Sequence, residues 1–178
     1  MKKIIYFILA GIILTCFISS CASLSTSDKS GKEGIAQDTA VAINTDIIGK
    51  TTWNEWDKFA GGRNYSYEPD ETVLPQIGRL INQEDYKFLL FAGKWCSDSR
   101  NEVPKMFKVM HKLGVTENEI GFYGLNRDME DGDGIARNYG IKRVPTLIVF
   151  LNDKEIGRIV EYPAKTIEKD ILNFLTEN

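Results

Sequence analysis

Residues 88–104 read FLLFAGKWCSDSRNEVP, and the fold turns on how that stretch divides. Lys87–Ala92 (KFLLFA) is a short, almost wholly apolar run, the pattern of a strand buried on both faces. Ser97–Leu113 carries Val103, Met106, Phe107 and Met110 on one side at helical spacing. Between them, Lys94-Trp95-Cys96-Ser97-Asp98-Ser99-Arg100 occupies a strand-to-helix handover. Functional groups in α/β folds gather at that C-terminal edge of a strand. A cysteine there faces unpaired backbone N–H groups and the positive end of the helix, and both favour thiolate over thiol. Ser99, three residues on, is spaced to reach back with a hydrogen bond; Lys94 and Arg100 add attraction and Asp98 opposes it. The bare pattern equally describes an inert buried cysteine.

Outward from this centre the elements alternate. Val73–Asn82 is helix-like, with apolar residues at 73, 74, 77, 80 and 81. Glu119–Leu125 (EIGFYGL) reads as a second central strand and Gly134–Tyr139 as a short helix. Thr146–Leu151 and Glu155–Tyr162 read as strands joined by the hairpin signal Asn152-Asp153-Lys154. Thr166–Thr176 is an amphipathic helix capped by Thr166, with Ile167, Ile171, Leu172 and Leu175 facing in. This order predicts an α/β sandwich with a mixed central sheet and helices on both faces.

Two landmarks then coincide. Phe88–Cys96 resembles the strand and active-site entry of the thioredoxin superfamily, with Pro104 where that family kinks its active-site helix. Tyr139-Gly140-Ile141-Lys142-Arg143-Val144-Pro145-Thr146 is similar to its second motif, which precedes an apolar strand. The resemblance covers roughly residues 73–175. It implies a thioredoxin-like fold, a cis Pro145 against Cys96, and a substrate chain pairing with the backbone at Val144. Trp95 and Pro145 would shape the rim. No cofactor is implied.

The departures bear on function. The family's C-x-x-C is here Cys96-Ser97-Asp98-Ser99, so a hydroxyl stands where the resolving thiol belongs. The family's buried acid falls on Leu90. Without an internal second thiol, which acts at high effective concentration, Cys96 attacks a disulfide but does not release itself. Two readings follow. One is monothiol–disulfide exchange, with Cys96 as nucleophile, Ser99 supporting its thiolate, and cysteine-containing exported proteins or an external thiol donor as partners. The other is a binding or scaffolding module that kept the fold and lost the redox cycle.

The N-terminus reads as an address. Lys2 and Lys3 precede an apolar stretch, Ile4–Ile18, too short for a spanning helix but suited to a secretory signal. It ends Ile18-Ser19-Ser20-Cys21, which resembles the lipobox of bacterial lipoproteins. By that resemblance residues 1–20 are a signal peptide and Cys21 is the lipidated N-terminus. Acyl chains, palmitate among them, then hold the protein to a membrane of the cell envelope. The other reading is an ordinary signal with an incidental cysteine. Residues 21–50 are assigned to a flexible tether on the Ser-, Gly- and Lys-rich composition of 22–40. Residues 51–178 are assigned to the domain, with Trp53, Trp56, Phe59, Tyr65 and Tyr67 in an N-terminal extension packed onto it.

Composition narrows the classes. With 178 residues, 43% hydrophobic and 26% charged, the chain has apolar residues enough for a core. A net charge of −3 gives no basic surplus for nucleic acid. Three cysteines exclude a disulfide-stapled mini-protein. The single histidine, His111, makes His-based metal sites and Ser-His-Asp chemistry poor candidates. The acidic loop Asp128–Gly134 lacks the spacing of an EF-hand, and no metal site is assigned there.

Overall fold

Parallel pairing of Phe88–Ala92 with Ile120–Gly124 sets the middle of the sheet. The computed structural model describes residues 46–60 and 66–177, all within one compact unit, Ala42–Asn178. Its elements are β1 (Gly49–Lys50), α1 (Trp53–Ala60), α2 (Leu74–Ile81), β2 (Tyr86–Ala92), α3 (Ser97–Lys112), β3 (Ile120–Gly124), α4 (Ile135–Asn138), β4 (Thr146–Leu151), β5 (Lys154–Val160) and α5 (Ile167–Thr176). A 3-10 turn, Glu117–Glu119, leads into β3. The sheet order is β1-β3-β2-β4-β5, with β2–β3 parallel and the other pairs antiparallel.

The period of two along β2 explains its apolar run. Phe88, Leu90 and Ala92 enter one core with residues of α1, α2, α3 and α5. Leu89 and Phe91 enter a smaller core on the opposite face with Ala136 of α4, Ile141, Val144 and Ile148. The expected α/β sandwich with a mixed sheet and helices on both faces is what forms. Most element ends fall within two residues of the sequence reading, and Thr166 caps α5 by accepting the Lys169 N–H.

Two elements differ from expectation. Strand β1 lies inside the segment assigned to a tether, so that assignment ends too late at residue 50. Ile47 and Gly49 lie against β3 through backbone, and a Cβ on Gly124 would collide with the Ile47 carbonyl. Helix α1 forms within the segment assigned to an aromatic extension. Its start is a capping box: Thr52 Oγ1 accepts the Glu55 N–H at 3.3 Å, and the Glu55 carboxylate accepts the Thr52 N–H at 3.0 Å. The helix stacks Trp53 on Phe107 at 4.0 Å and buries Trp56 beside Phe122. Tyr65, Cys21, the apolar stretch and residues 22–45 lie outside the described residues. Among the described residues no helix is long and apolar enough to cross a membrane.

Acidic groups fasten α5 to the segment before α2. Glu168, buried at 1% exposure, accepts from the Tyr67 hydroxyl at 2.6 Å and from the Asp70 N–H at 3.1 Å. Asp70 in turn accepts from the Thr72 hydroxyl and N–H and pairs with Lys169 at 3.1 Å. The Thr72 hydroxyl bond, then the Thr72 N–H and Lys169, pull the Asp70 carboxyl down to about 2. A lowered native value means that the unfolded chain takes up the proton first as pH falls, so stability is full above the ordinary aspartate range and is lost towards pH 2. We expect urea unfolding midpoints to fall between about pH 4 and pH 2. Asp70→Asn should make that fall shallower. An unchanged acid limb in Asp70→Asn would mean that Asp70 does not carry the effect.

Candidate active site

The site grows from a tight exit of β2. Gly93 follows the last strand residue, and Cys96 N–H donates to the Gly93 carbonyl at 2.9 Å. Cys96 is then the N-cap of α3, with extended backbone (φ −84°, ψ 127°) before helical geometry begins at Ser97. The Trp95 ring folds back over Gly93, where a Cβ would stand 2.7 Å from it. The indole N–H donates to the Leu125 carbonyl at 2.9 Å, and Arg127 lies 5.2 Å from the ring centroid. Trp95 is therefore tied down, half-buried, beside the smaller core.

Ser99 serves the turn itself. Its side chain is fully buried, and its Oγ accepts the Gly93 N–H at 3.2 Å. The hydrogen bond of Cys96 runs elsewhere: its thiol donates to the Val144 carbonyl at 3.3 Å. Ser99 thus positions the turn that carries the sulfur. Hydroxyl oxygens are good acceptors, and a buried backbone N–H without a partner is costly, so burial decides which group Ser99 serves.

The Val144–Pro145 peptide is cis. Val144 is buried and Cys96 half-buried, so the sulfur sits between the smaller core and solvent. Arg100 closes the turn from the helix side by donating to the Lys94 carbonyl at 2.9 Å. A residue missed by the sequence reading completes the surroundings. The Tyr162 phenol is raised to about 12, first by its hydrogen bond to Asp98, then by burial and by the charges of Asp98, Glu102 and Cys96. No local sequence signal links Tyr162 to α3; the contact exists only once β5 pairs with β4.

Other concavities lie away from the sulfur. An apolar groove of about 530 Å³, lined by Trp53, Pro104, Phe107, Met110 and Ile120 among others, follows the later turns of α3. The acidic loop is explained internally: Asp131, 2% exposed, accepts N–H groups from Asp133, Ile135 and Ala136. Burial pushes its carboxyl up, but those donors outweigh burial and hold it below the ordinary range. Among the described residues no group of His, Cys, Asp and Glu is arranged to hold a metal.

The chain is 31% identical to the chloroplastic thioredoxin M4 of Arabidopsis thaliana over 88 residues, 49% of this chain and 43% of that protein. It is also 31% identical to a thioredoxin of Echinococcus granulosus over 70 residues, 39% of this chain and 60% of that protein. The fold is thioredoxin-like. The chain thus spans about half the length of these two curated relatives. Mitochondrial thioredoxin 3 of Saccharomyces cerevisiae superposes with a TM-score of 0.33 at 24% identity, covering 49% of this chain and 76% of that one. No family model matches.

Within this thioredoxin-like frame, Ser99→Ala should leave the Gly93 N–H buried without an acceptor. We expect a loss of about 1–3 kcal/mol in unfolding free energy, read by urea denaturation. An unchanged value would show that the N–H finds another partner.

Proposed function

We propose that this protein performs thiol–disulfide exchange with Cys96 as its single attacking thiol. The observation that carries the reading is the half-buried sulfur at the N-cap of α3, 3.3 Å from the Val144 carbonyl and next to the cis proline. In the forward step the Cys96 thiolate bonds to one sulfur of a client disulfide. The client S–S bond breaks, and the second client sulfur leaves with the electron pair as thiolate. Cys96 is oxidised into a mixed disulfide and the leaving sulfur is reduced. A thiol from outside the chain must attack that mixed disulfide to free Cys96. Clients are exported proteins with cysteines, and Val144 offers them backbone.

Trapping tests this. In cells quenched with acid and alkylated, the full chain should carry mixed disulfides that vanish in Cys96→Ser. Ser99→Cys supplies an internal thiol at high effective concentration, so adducts should fall roughly tenfold or more. Cys96-independent adducts, or none, would reject exchange and favour the binding module.

The same reading places the domain in the bacterial envelope through acyl chains on Cys21. Its support is Lys2-Lys3, the apolar run Ile4–Ile18 and the small residues before Cys21. Labelling with a palmitate analogue should mark the full chain, and Cys21→Ala should lose both label and membrane fractionation. Label retained in Cys21→Ala would reject lipidation there.

A further inference from the structure

We propose that Arg100 and Arg127 bind a carboxylate beside the client cysteine, so that Cys96 prefers disulfides in acidic segments; this rests on the exchange reading above. Two guanidinium groups touch the turn that carries the sulfur. One comes from α3. Arg100 lies four residues after Cys96, on the same side of the helix, and its main-chain N–H donates to the Cys96 carbonyl at 3.2 Å. Its guanidinium donates to the Lys94 carbonyl at 2.9 Å, two residues before the sulfur. The other comes from the loop after β3. The Leu125 N–H donates to the Ala92 carbonyl at 2.8 Å, so the chain leaving β3 runs beside the chain leaving β2. Arg127, two residues on, stands 5.2 Å from the centroid of the Trp95 ring. Trp95 is the residue before Cys96, and its indole N–H is held by the Leu125 carbonyl at 2.9 Å.

Other arginines have their anions within the protein: Arg143 meets Glu161 at 3.0 Å and Arg158 meets Glu155 at 2.6 Å. Among the described residues neither Arg100 nor Arg127 is ion-paired. A guanidinium carries five N–H donors in a planar fork that matches a carboxylate, and one carbonyl or one ring leaves most of them available. The acids near in sequence are directed elsewhere. Asp98 precedes Arg100 by two residues, about 200° round α3, and its carboxylate accepts the Ser97 hydroxyl at 3.4 Å. Asp128, Glu130 and Asp133 line a separate concavity of about 500 Å³ with Arg137, and Arg127 is not in its wall. The chain as a whole carries a net charge of −3 and repels acidic segments at long range. A preference for such segments is therefore the mark of a local cationic site.

The test uses two end-blocked peptides, Gly-Glu-Cys-Glu-Gly and Gly-Gln-Cys-Gln-Gly, each carrying a 2-pyridylthio group on its cysteine as a mixed disulfide. The Cys96 thiolate bonds to the peptide sulfur and the peptide–pyridyl S–S bond breaks. Pyridine-2-thiolate leaves with the electron pair and takes a proton from water, and the absorbance of the resulting thione reports the rate. Each rate is divided by that of 2-mercaptoethanol with the same peptide, which removes the peptides' intrinsic difference. We expect the glutamate peptide to react about threefold faster at low salt, the scale of an exposed ion pair, and the ratio to approach one in about 0.5 M NaCl. Arg127→Gln should lower the ratio, and Arg127→Gln with Arg100→Gln should bring it to about one or below. Arg127→Lys, which keeps the charge, should retain most of it. Arg79→Gln removes the same charge from α2, across the sheet, and should leave the ratio unchanged. A ratio near one in the unaltered protein, an unchanged ratio in Arg127→Gln, or an equal loss in Arg79→Gln overturns the inference and leaves exchange standing. Equal release from the unaltered protein and Cys96→Ser overturns exchange and the inference together.

Discussion

Strand β2 ends and helix α3 begins within four residues, and Gly93, the first residue of the turn between them, is too buried for water to satisfy its backbone. The Gly93 N–H is the group at stake, and Ser99 Oγ takes it at 3.2 Å. The Cys96 N–H returns to the Gly93 carbonyl, and the Ala92 carbonyl takes the Leu125 N–H at 2.8 Å. These bonds fix Cys96 as the first residue outside the helix. A looser turn would leave the N–H unpaired, and the sulfur would lose its register against Val144.

That constraint makes the two departures from the thioredoxin motif consistent with each other. A thiol is a weak hydrogen-bond acceptor, whereas a hydroxyl is a good one. A serine at position 99 therefore serves the turn better than a cysteine, at the loss of a second sulfur. Leu90, 1% exposed, packs among Val103, Met106 and Leu147 in the larger core. A carboxyl there would need a buried partner, and the acid of the family motif has no task once the second thiol is gone. Ser99 serves the backbone of the turn and Leu90 serves the packing of the larger core.

The parts of the fold visible in the sequence are those whose side chains carry the signal. The run in β2, the stripes on α3 and α5 and the hairpin at Asn152-Asp153 all report burial or turn geometry directly. Strand β1 carries no such signal, because two residues pair through backbone and glycine contacts alone. Helix α1 carries one: Thr52-Trp53-Asn54-Glu55 is the capping-box pattern before Trp56, in a segment where the dense aromatics are the louder signal. The spacing of Ser99 allowed two partners, and only the burial of the turn chose between them. Tyr162 and Asp98 are remote in sequence, so their contact is a product of tertiary structure.

The sulfur also depends on the weaker half of the molecule. Among the described residues the core on its side of the sheet holds eight buried hydrophobic residues, against twenty on the other. Its one helix, α4, has four residues, too few to persist by propensity. What keeps α4 in place is the Asp131 carboxylate, which gathers the N–H groups of Asp133, Ile135 and Ala136. Ala136 and Ile141 then pack with Val144, and Val144 receives the Cys96 thiol. A charged group in a surface loop thus supports the carbonyl that faces the sulfur, with no direct contact between them. This accounts for an acidic loop whose one buried carboxylate is committed to backbone: its charge serves to organise the small core beside Cys96.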